Sequence, residues 1–403
     1  MTQVRGKPVP HLLTCVALLW LAGNGMRMTI LALPPLIPLI HKDLHMSETE
    51  VGILAGLPVV LFACAAVPGS LLIARFGALA TVIAGLVITA LGSALRGAAP
   101  DVLALYAATI VTGFGVAIMH PAMPPLARAW MPGRIGFATA IYANGLLIGE
   151  ILPVSLMLPV VLPLLDDSWR LGFVAWAIPC VAIAAIILVA APRAPAAADK
   201  GHGAGVQRPA LWWPSWNNGL MWRLGLVLGG VNASYFTSNH FLPDYLNQTG
   251  HGDLVGPALV ALNIGQLPGS FLLLWLAGRL ERHAATYLIY GALTFAGALG
   301  IIFGNGPVIV ASAGLVGFAA ASVLIMILAL PPLLSRQEDV PRMAAGIFTI
   351  SYSCAVIVPV ISGLAWDLTG TPAVAFVPMA IIDLLMIGLA PTLRLNSRGR
   401  VPA

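Results

Sequence analysis

Apolar runs of roughly twenty residues, long enough to cross the hydrocarbon core of a bilayer as helices, recur from one end of this sequence to the other. Twelve can be marked: 11–40, 50–74, 78–97, 102–127, 135–163, 170–191, 222–247, 254–278, 284–304, 307–334, 342–366 and 372–393. Backbone polar groups find no water at that depth, so only helices and closed β-barrels span it. Barrel strands alternate apolar and polar residues at period two, and these runs do not. Composition agrees, with 59% of the 403 residues hydrophobic and 9% charged, against about 25% charged in a soluble domain. The expectation is an all-α integral membrane protein with twelve transmembrane helices. The first run is too long for the apolar region of a cleaved signal peptide, so it is read as a span.

Lys and Arg in short loops set the orientation. With a cytoplasmic N-terminus, sixteen basic residues fall inside and only Lys42, Arg96 and Arg170 fall outside. Both termini are therefore expected in the cytoplasm, with the chain in the cell (inner) membrane. The basic residues come one or two at a time, without a stripe or arm, which speaks against nucleic acid as a partner. Residues 192–221 form the longest polar stretch and divide the spans six and six. Trp212, Trp213, Trp216 and Trp222 suggest that its end lies at the membrane interface. Cys15, Cys64, Cys180 and Cys354 sit inside apolar runs and read as buried thiols, not as a disulfide framework or metal site.

The two sets of six spans echo each other. "VPGSLL" (Val67 to Leu72) recurs as "LPGSFL" (Leu267 to Leu272), and "MPPLAR" (Met123 to Arg128) as "LPPLLS" (Leu330 to Ser335). Gly136 and Tyr142 in span five match Gly346 and Tyr352 in span eleven, and Asn24 in span one corresponds to Asn232 in span seven. Such a duplication predicts two six-helix bundles, residues 1–191 and 222–403, related by a pseudo-two-fold axis along the membrane normal. A cytoplasmic linker, 192–221, would join them. That architecture serves alternating access, with a site at the midplane between the halves.

At this point the chain resembles the major facilitator superfamily. The loop after span two reads "SLLIARFGA", in which Leu72, Arg75 and Gly77 match the family pattern and Ser70, Ala74 and Ala78 depart from it. Gly136, Gly145 and Gly149 match the glycine spacing of the family's antiporter motif, with Glu150 following where proline is usual. Within the superfamily the chain is similar to the cyanate-transporter and 2-nitroimidazole-transporter branch. "GNGMR" (Gly23 to Arg27), "LAGLPVV" (Leu54 to Val60), "GFGVAIMHPAMPPLARAW" (Gly113 to Trp130) and "LGGVNASYFTSNHFLPDYL" (Leu228 to Leu246) carry that likeness. It implies that spans one, four, seven and ten line a central cavity, flanked by two, five, eight and eleven.

Polar residues inside the spans are the candidates for a substrate site, because a charge at the bilayer centre costs roughly 2.5–3.5 kcal/mol and is kept for a reason. Arg27 lies near the middle of span one, on a face shared with Asn24 by helical spacing. Its planar fork suits a small anion; a structural salt bridge is the other possibility. Glu150 in span five either pairs with Arg27, carries a proton, or does both. His120 in span four either handles protons and substrate or bonds a neighbouring helix. Asn232, Tyr235, Asn239 and His240 in span seven, Asn263 and Gln266 in span eight, and Tyr352 in span eleven offer neutral hydrogen bonds, either to substrate or between helices. Asp383 in span twelve reads as structural.

The function expected is secondary active transport of a small polar or anionic solute, of the cyanate-like or nitro-heterocycle class, by a monomer without cofactor or metal, with protons as a possible coupling ion. A proton-coupled efflux pump for small drug-like molecules is the alternative within the class. A channel or membrane receptor is the alternative outside it. An enzyme would need a catalytic cluster in the bundle, which no local motif supplies. ATP-driven transport would need a Gly-x4-Gly-Lys-Ser/Thr loop, and none occurs.

Overall fold

The computed structural model describes residues 12–64, 66–131, 134–192, 214–334, 340–393 and 395, and these are helical almost throughout. Ten of the helices are long and apolar enough to cross a bilayer, and they occupy the positions of spans one, three to six and eight to twelve. Span two is carried by Glu48–Cys64 and the start of Ala66–Gly97. Span seven is Gly219–Gln248, buried without interruption from Val227 to Leu246. A helix wrapped in protein needs no lipid-facing side, which lets it hold Asn232, Ser234, Thr237, Ser238, Asn239 and His240 at membrane depth.

Several spans are broken where the sequence weakens the helical ladder. Span one is not a single helix ending at 40, as expected. It runs as Leu12–Gly25, Met28–Leu31, a 3-10 turn at Pro34–Leu36, and Ile37–Leu44. The Gly-Asn-Gly sequence ends the first piece, and Arg27 stands in the gap with φ −121° and ψ −26°. The helical register linking Asn24 to Arg27 therefore does not hold. Span four breaks into a 3-10 turn at His120–Ala122, around Pro121. Span eight breaks between Val255–Ile264 and Gln266–Leu280. Spans two and three run on through a turn at Gly77, whose φ of +84° is ordinary only for glycine.

Equivalent spans of the two halves pack alike. Span one lies against span five backbone to backbone: a Cβ on Gly145 would come 2.2 Å from the Trp20 carbonyl oxygen, and one on Gly149 2.5 Å from that of Asn24. Span seven likewise packs against span eleven, with Gly225 on Ile350 and Gly229 on Cys354. This is the arrangement a duplicated six-helix unit requires. Two of the three antiporter-motif glycines, Gly145 and Gly149, are thus explained by helix contact.

The halves close on one another at the face opposite the chain ends, here termed the distal face. Gly52 abuts the Pro359 carbonyl and Leu158 reaches Gly256. The backbone N–H groups of Glu48 and Thr49, at the start of span two, donate to Asp367 of span eleven at 2.9 and 2.8 Å. Of the three basic residues expected in distal loops, Lys42 is exposed and Arg170 pairs with Asp43. Arg96 is corrected: it is 1% exposed, stacks on Phe173 and donates to the Thr29 carbonyl oxygen at 2.7 Å. It satisfies a carbonyl beside the break in span one and carries no topological information. Trp216 and Trp222 sit together, half-exposed, at the start of span seven. Trp212 and Trp213 lie outside the described residues, as do 193–211 of the expected linker. Cys15 and Cys180 are buried free thiols and Cys354 is half-buried. Asp383 is fully buried and accepts from Ser234 at 2.8 Å, a structural bond as expected.

Candidate functional site

The break in span one turns Arg27 toward span five, where Gly149 allows close approach and Glu150 follows. Arg27 Nε stands 3.4 Å from Glu150 Oε1. The contact lacks hydrogen-bond geometry, and Nε has no other partner. Nor do the terminal guanidinium nitrogens bond any described residue, and the side chain keeps 15% exposure. The charge is balanced while the planar donor fork stays uncommitted. Above the guanidinium lies the Phe62 ring, 5.7 Å from its carbon. Phe62 also meets His120 edge-on at 5.3 Å and Tyr352 at 6.0 Å, and Tyr352 stacks on Phe348. His120 Nε2 is buried without a hydrogen-bond partner among the described residues.

Glu150 faces the second half. Gln266 Nε2 donates to its Oε2 at 2.9 Å, and the Tyr235 hydroxyl lies 3.3 Å from the same oxygen. That hydroxyl is closer to Asn263 Oδ1, at 2.7 Å, and its single proton serves one acceptor at a time. Asn263 in turn donates to Asn239 at 3.1 Å, and Asn239 donates to the Tyr235 carbonyl. The helix break at Gly265 puts Asn263 and Gln266 beside span seven. A polar chain thus runs from Arg27 through Glu150 into spans seven and eight, crossing the interface between the halves.

Six expected residues meet in this chain: Arg27, Glu150, Tyr235, Gln266, Asn263 and Asn239. His120 and Tyr352 join through the Phe62 ring. Three stand apart. Asn24 is fully buried behind Gly149 and donates to the Trp20 carbonyl at 3.0 Å. Asn232 donates to Ser351 of span eleven at 2.8 Å, a bond between helices. His240 places Nδ1 2.6 Å from the Phe236 carbonyl of its own helix. Phe62 was not anticipated, since a phenylalanine in an apolar run looks like any lipid-facing residue.

Comparison with known proteins places this geometry in context. The model of the Major Facilitator Superfamily matches residues 18–359. The chain is 24% identical to the cyanate transport protein of Escherichia coli, over 92% of this chain and 94% of that one. It is 22% identical to the 2-nitroimidazole transporter of the same organism, over 96% and 95%. It is 23% identical to the transporter YycB of Bacillus subtilis, over 97% and 95%. Among solved structures, a bacterial homologue of the human lysosomal transporter Spinster, inward-facing and unoccupied, superposes with a TM-score of 0.72 at 14% identity, covering 96% of this chain and 95% of that one. The nucleoside transporter NupG gives 0.72 at 13%, covering 94% and 99%. These two likenesses concern the fold. Ten apolar helices long enough to cross a bilayer among the described residues, paired packing across an internal repeat and the extent of the family match lead to one conclusion: the chain is a multi-pass membrane transporter belonging to the major facilitator superfamily.

Proposed function

We propose that this transporter carries a small anionic or strongly polar solute, bound between the halves with Arg27 as its main charge partner. The uncommitted Arg27 fork carries the reading. A permanent cation held at membrane depth, balanced by Glu150 yet spending no hydrogen bond on it, is a receptor for a planar or linear acceptor group. Gln266, Tyr235 and Asn263 offer neutral partners from the second half, with Phe62 and Tyr352 as an aromatic wall. Asn24, Asn232 and His240 play supporting roles. Two relatives are named for a small linear anion and for a nitro-heterocycle. Both ligands present acceptor atoms to a fork, and the heterocycle adds a ring for the wall.

Residues 1–191 and 222–403 rock about this site in alternating access, joined by the linker 192–221. The carrier works as a monomer in the cytoplasmic membrane with both termini in the cytoplasm. Glu150 favours a second reading, because its carboxylate spans the interface between the halves. On that reading it carries a proton, as in proton-coupled efflux of small drug-like molecules.

A thermal-shift screen of the purified protein against cyanate and 2-nitroimidazole tests the first reading, since a ligand of the folded state raises its apparent stability. Binding should weaken in Arg27→Lys and nearly vanish in Arg27→Ala. Equal ligand shifts in all three proteins would refute it. Uptake by proteoliposomes under a pH gradient tests the second. Glu150→Gln should abolish gradient-driven uptake while leaving exchange of labelled for unlabelled solute intact.

A further inference from the structure

A second polar cluster lies at the distal face, away from the Arg27 site. His41 ends span one, Glu48 begins span two, and Asp244 lies near the end of span seven. His41 Nδ1 is 2.8 Å from Asp244 Oδ2 and 3.8 Å from Glu48 Oε1, and one donor atom from each residue lies within 4.8 Å of the others. Glu48 and Asp244 are 5% and 4% exposed. Gln248 donates to Glu48 Oε1 at 3.2 Å, whereas Glu48 Oε2 is buried with no hydrogen-bond partner among the described residues. His41 opens onto a cavity of about 660 Å³ that Asp244, Gln248 and Lys42 also line, so an ion has a route in.

We propose that His41, Glu48 and Asp244 form a site for a zinc-class divalent cation, which ties the two halves together at the distal face. Metal ligands bind deprotonated, so an arriving dication displaces the protons of the cluster and is then neutralised by two carboxylates beside a neutral imidazole. One nitrogen and two oxygens match the three-ligand zinc sites that keep a fourth position for water. Tetrahedral ligands at 2.0–2.2 Å from zinc lie about 3.3 Å apart, and the two His41 separations of 2.8 and 3.8 Å straddle that value. Calcium and magnesium are disfavoured, since they take six or more oxygens and avoid imidazole. The orphan Glu48 oxygen would gain a partner. His41 and Glu48 belong to the first half and Asp244 to the second, so a bound ion bridges the seam that must part when the transporter opens on this side. Metal binding here is independent of which solute is carried.

The test uses the full chain in nanodiscs, with zinc chloride titrated calorimetrically against magnesium and calcium chlorides. One zinc site is expected, with at least tenfold weaker binding in His41→Gln and in Asp244→Asn. Glu48→His keeps a third ligand and should retain the site. Zinc should also slow amide hydrogen exchange at least tenfold in residues 41–50 and 244–254. No zinc isotherm on the unaltered protein, an equal one with magnesium, or zinc binding unchanged in both His41→Gln and Asp244→Asn would overturn the site. Exchange rates unmoved by bound zinc would overturn the bridging role.

Discussion

Replacing Glu150 by glutamine should tighten the binding of a small anion. In the resting geometry Glu150 is an internal competitor, since its carboxylate lies 3.4 Å from the guanidinium that an anionic solute must engage. At an effective dielectric of about 20 that pair is worth roughly 5 kcal/mol of gross attraction. The net effect is smaller. Both side chains retain some exposure, Glu150 keeps its bond from Gln266, and a glutamine oxygen can still accept that bond. Taking about a third of the gross value gives roughly 1.6 kcal/mol, or an about fifteenfold lower Kd. Isothermal titration with cyanate, at fixed pH and ionic strength, measures it directly. A neutral heterocycle serves as control, because its affinity should change far less. A Glu150→Gln protein that folds normally yet binds the anion more weakly would refute the competition and make the pair part of the binding surface.

Other perturbations address the remaining elements. Arg27→Ala should cost about 3 kcal/mol of anion affinity, two charge-assisted hydrogen bonds at the low end of their range, with Arg27→Lys between it and the unaltered protein; equal affinities in the same titration would count against the fork. Gly149→Val drives a branched side chain into the Asn24 carbonyl 2.5 Å away and should cost 1–3 kcal/mol or more by overpacking, visible as a lower melting temperature on size-exclusion-purified protein. Asp367→Ala removes the acceptor for the Glu48 and Thr49 N–H groups, a helix cap worth about 0.5–2 kcal/mol, and should speed hydrogen exchange in residues 48–52. Lys42→Cys and Arg223→Cys should label from opposite sides of the membrane, since both positions are exposed at opposite ends of the bundle; labelling from one side would break the topology.

The spans were legible because burial in lipid imposes a length and a composition that few sequences meet by chance. The Arg27–Glu150 pair was legible as one of two possibilities, because two opposite charges inside an apolar bundle have few other partners. The break that positions Arg27 was written in Gly-Asn-Gly and in Pro34-Pro35, but hydropathy over a thirty-residue run averages such local signals away. Helical spacing misplaced Asn24 for the same reason. Asn232 and His240 looked like site residues because they share a polar stretch with Tyr235 and Asn239, and only packing reveals which of them turn to span eleven or to their own backbone. Phe62 carries no signal of its own, as its role comes from what surrounds it. The distal cluster is the clearest case of distance in sequence. His41 and Asp244 are 203 positions apart, so no local ligand spacing announces them. Arg96 shows the converse: a charge at the end of an apolar run passes for a loop residue until its carbonyl partner is seen.

The glycine-mediated contact between spans one and five has a mechanical consequence. Two helices touching backbone to backbone leave no side-chain layer to slide on, so they travel as one body. Arg27 and Glu150 sit on that body, so under the proposed rocking their separation would stay fixed. Gln266 and Tyr235 sit on the other, and their distances to Glu150 would vary. Under that rocking the carboxylate would keep its cation and change its neutral neighbours. Glu150 would then register, in the bonds it holds with the second half, which way the carrier faces.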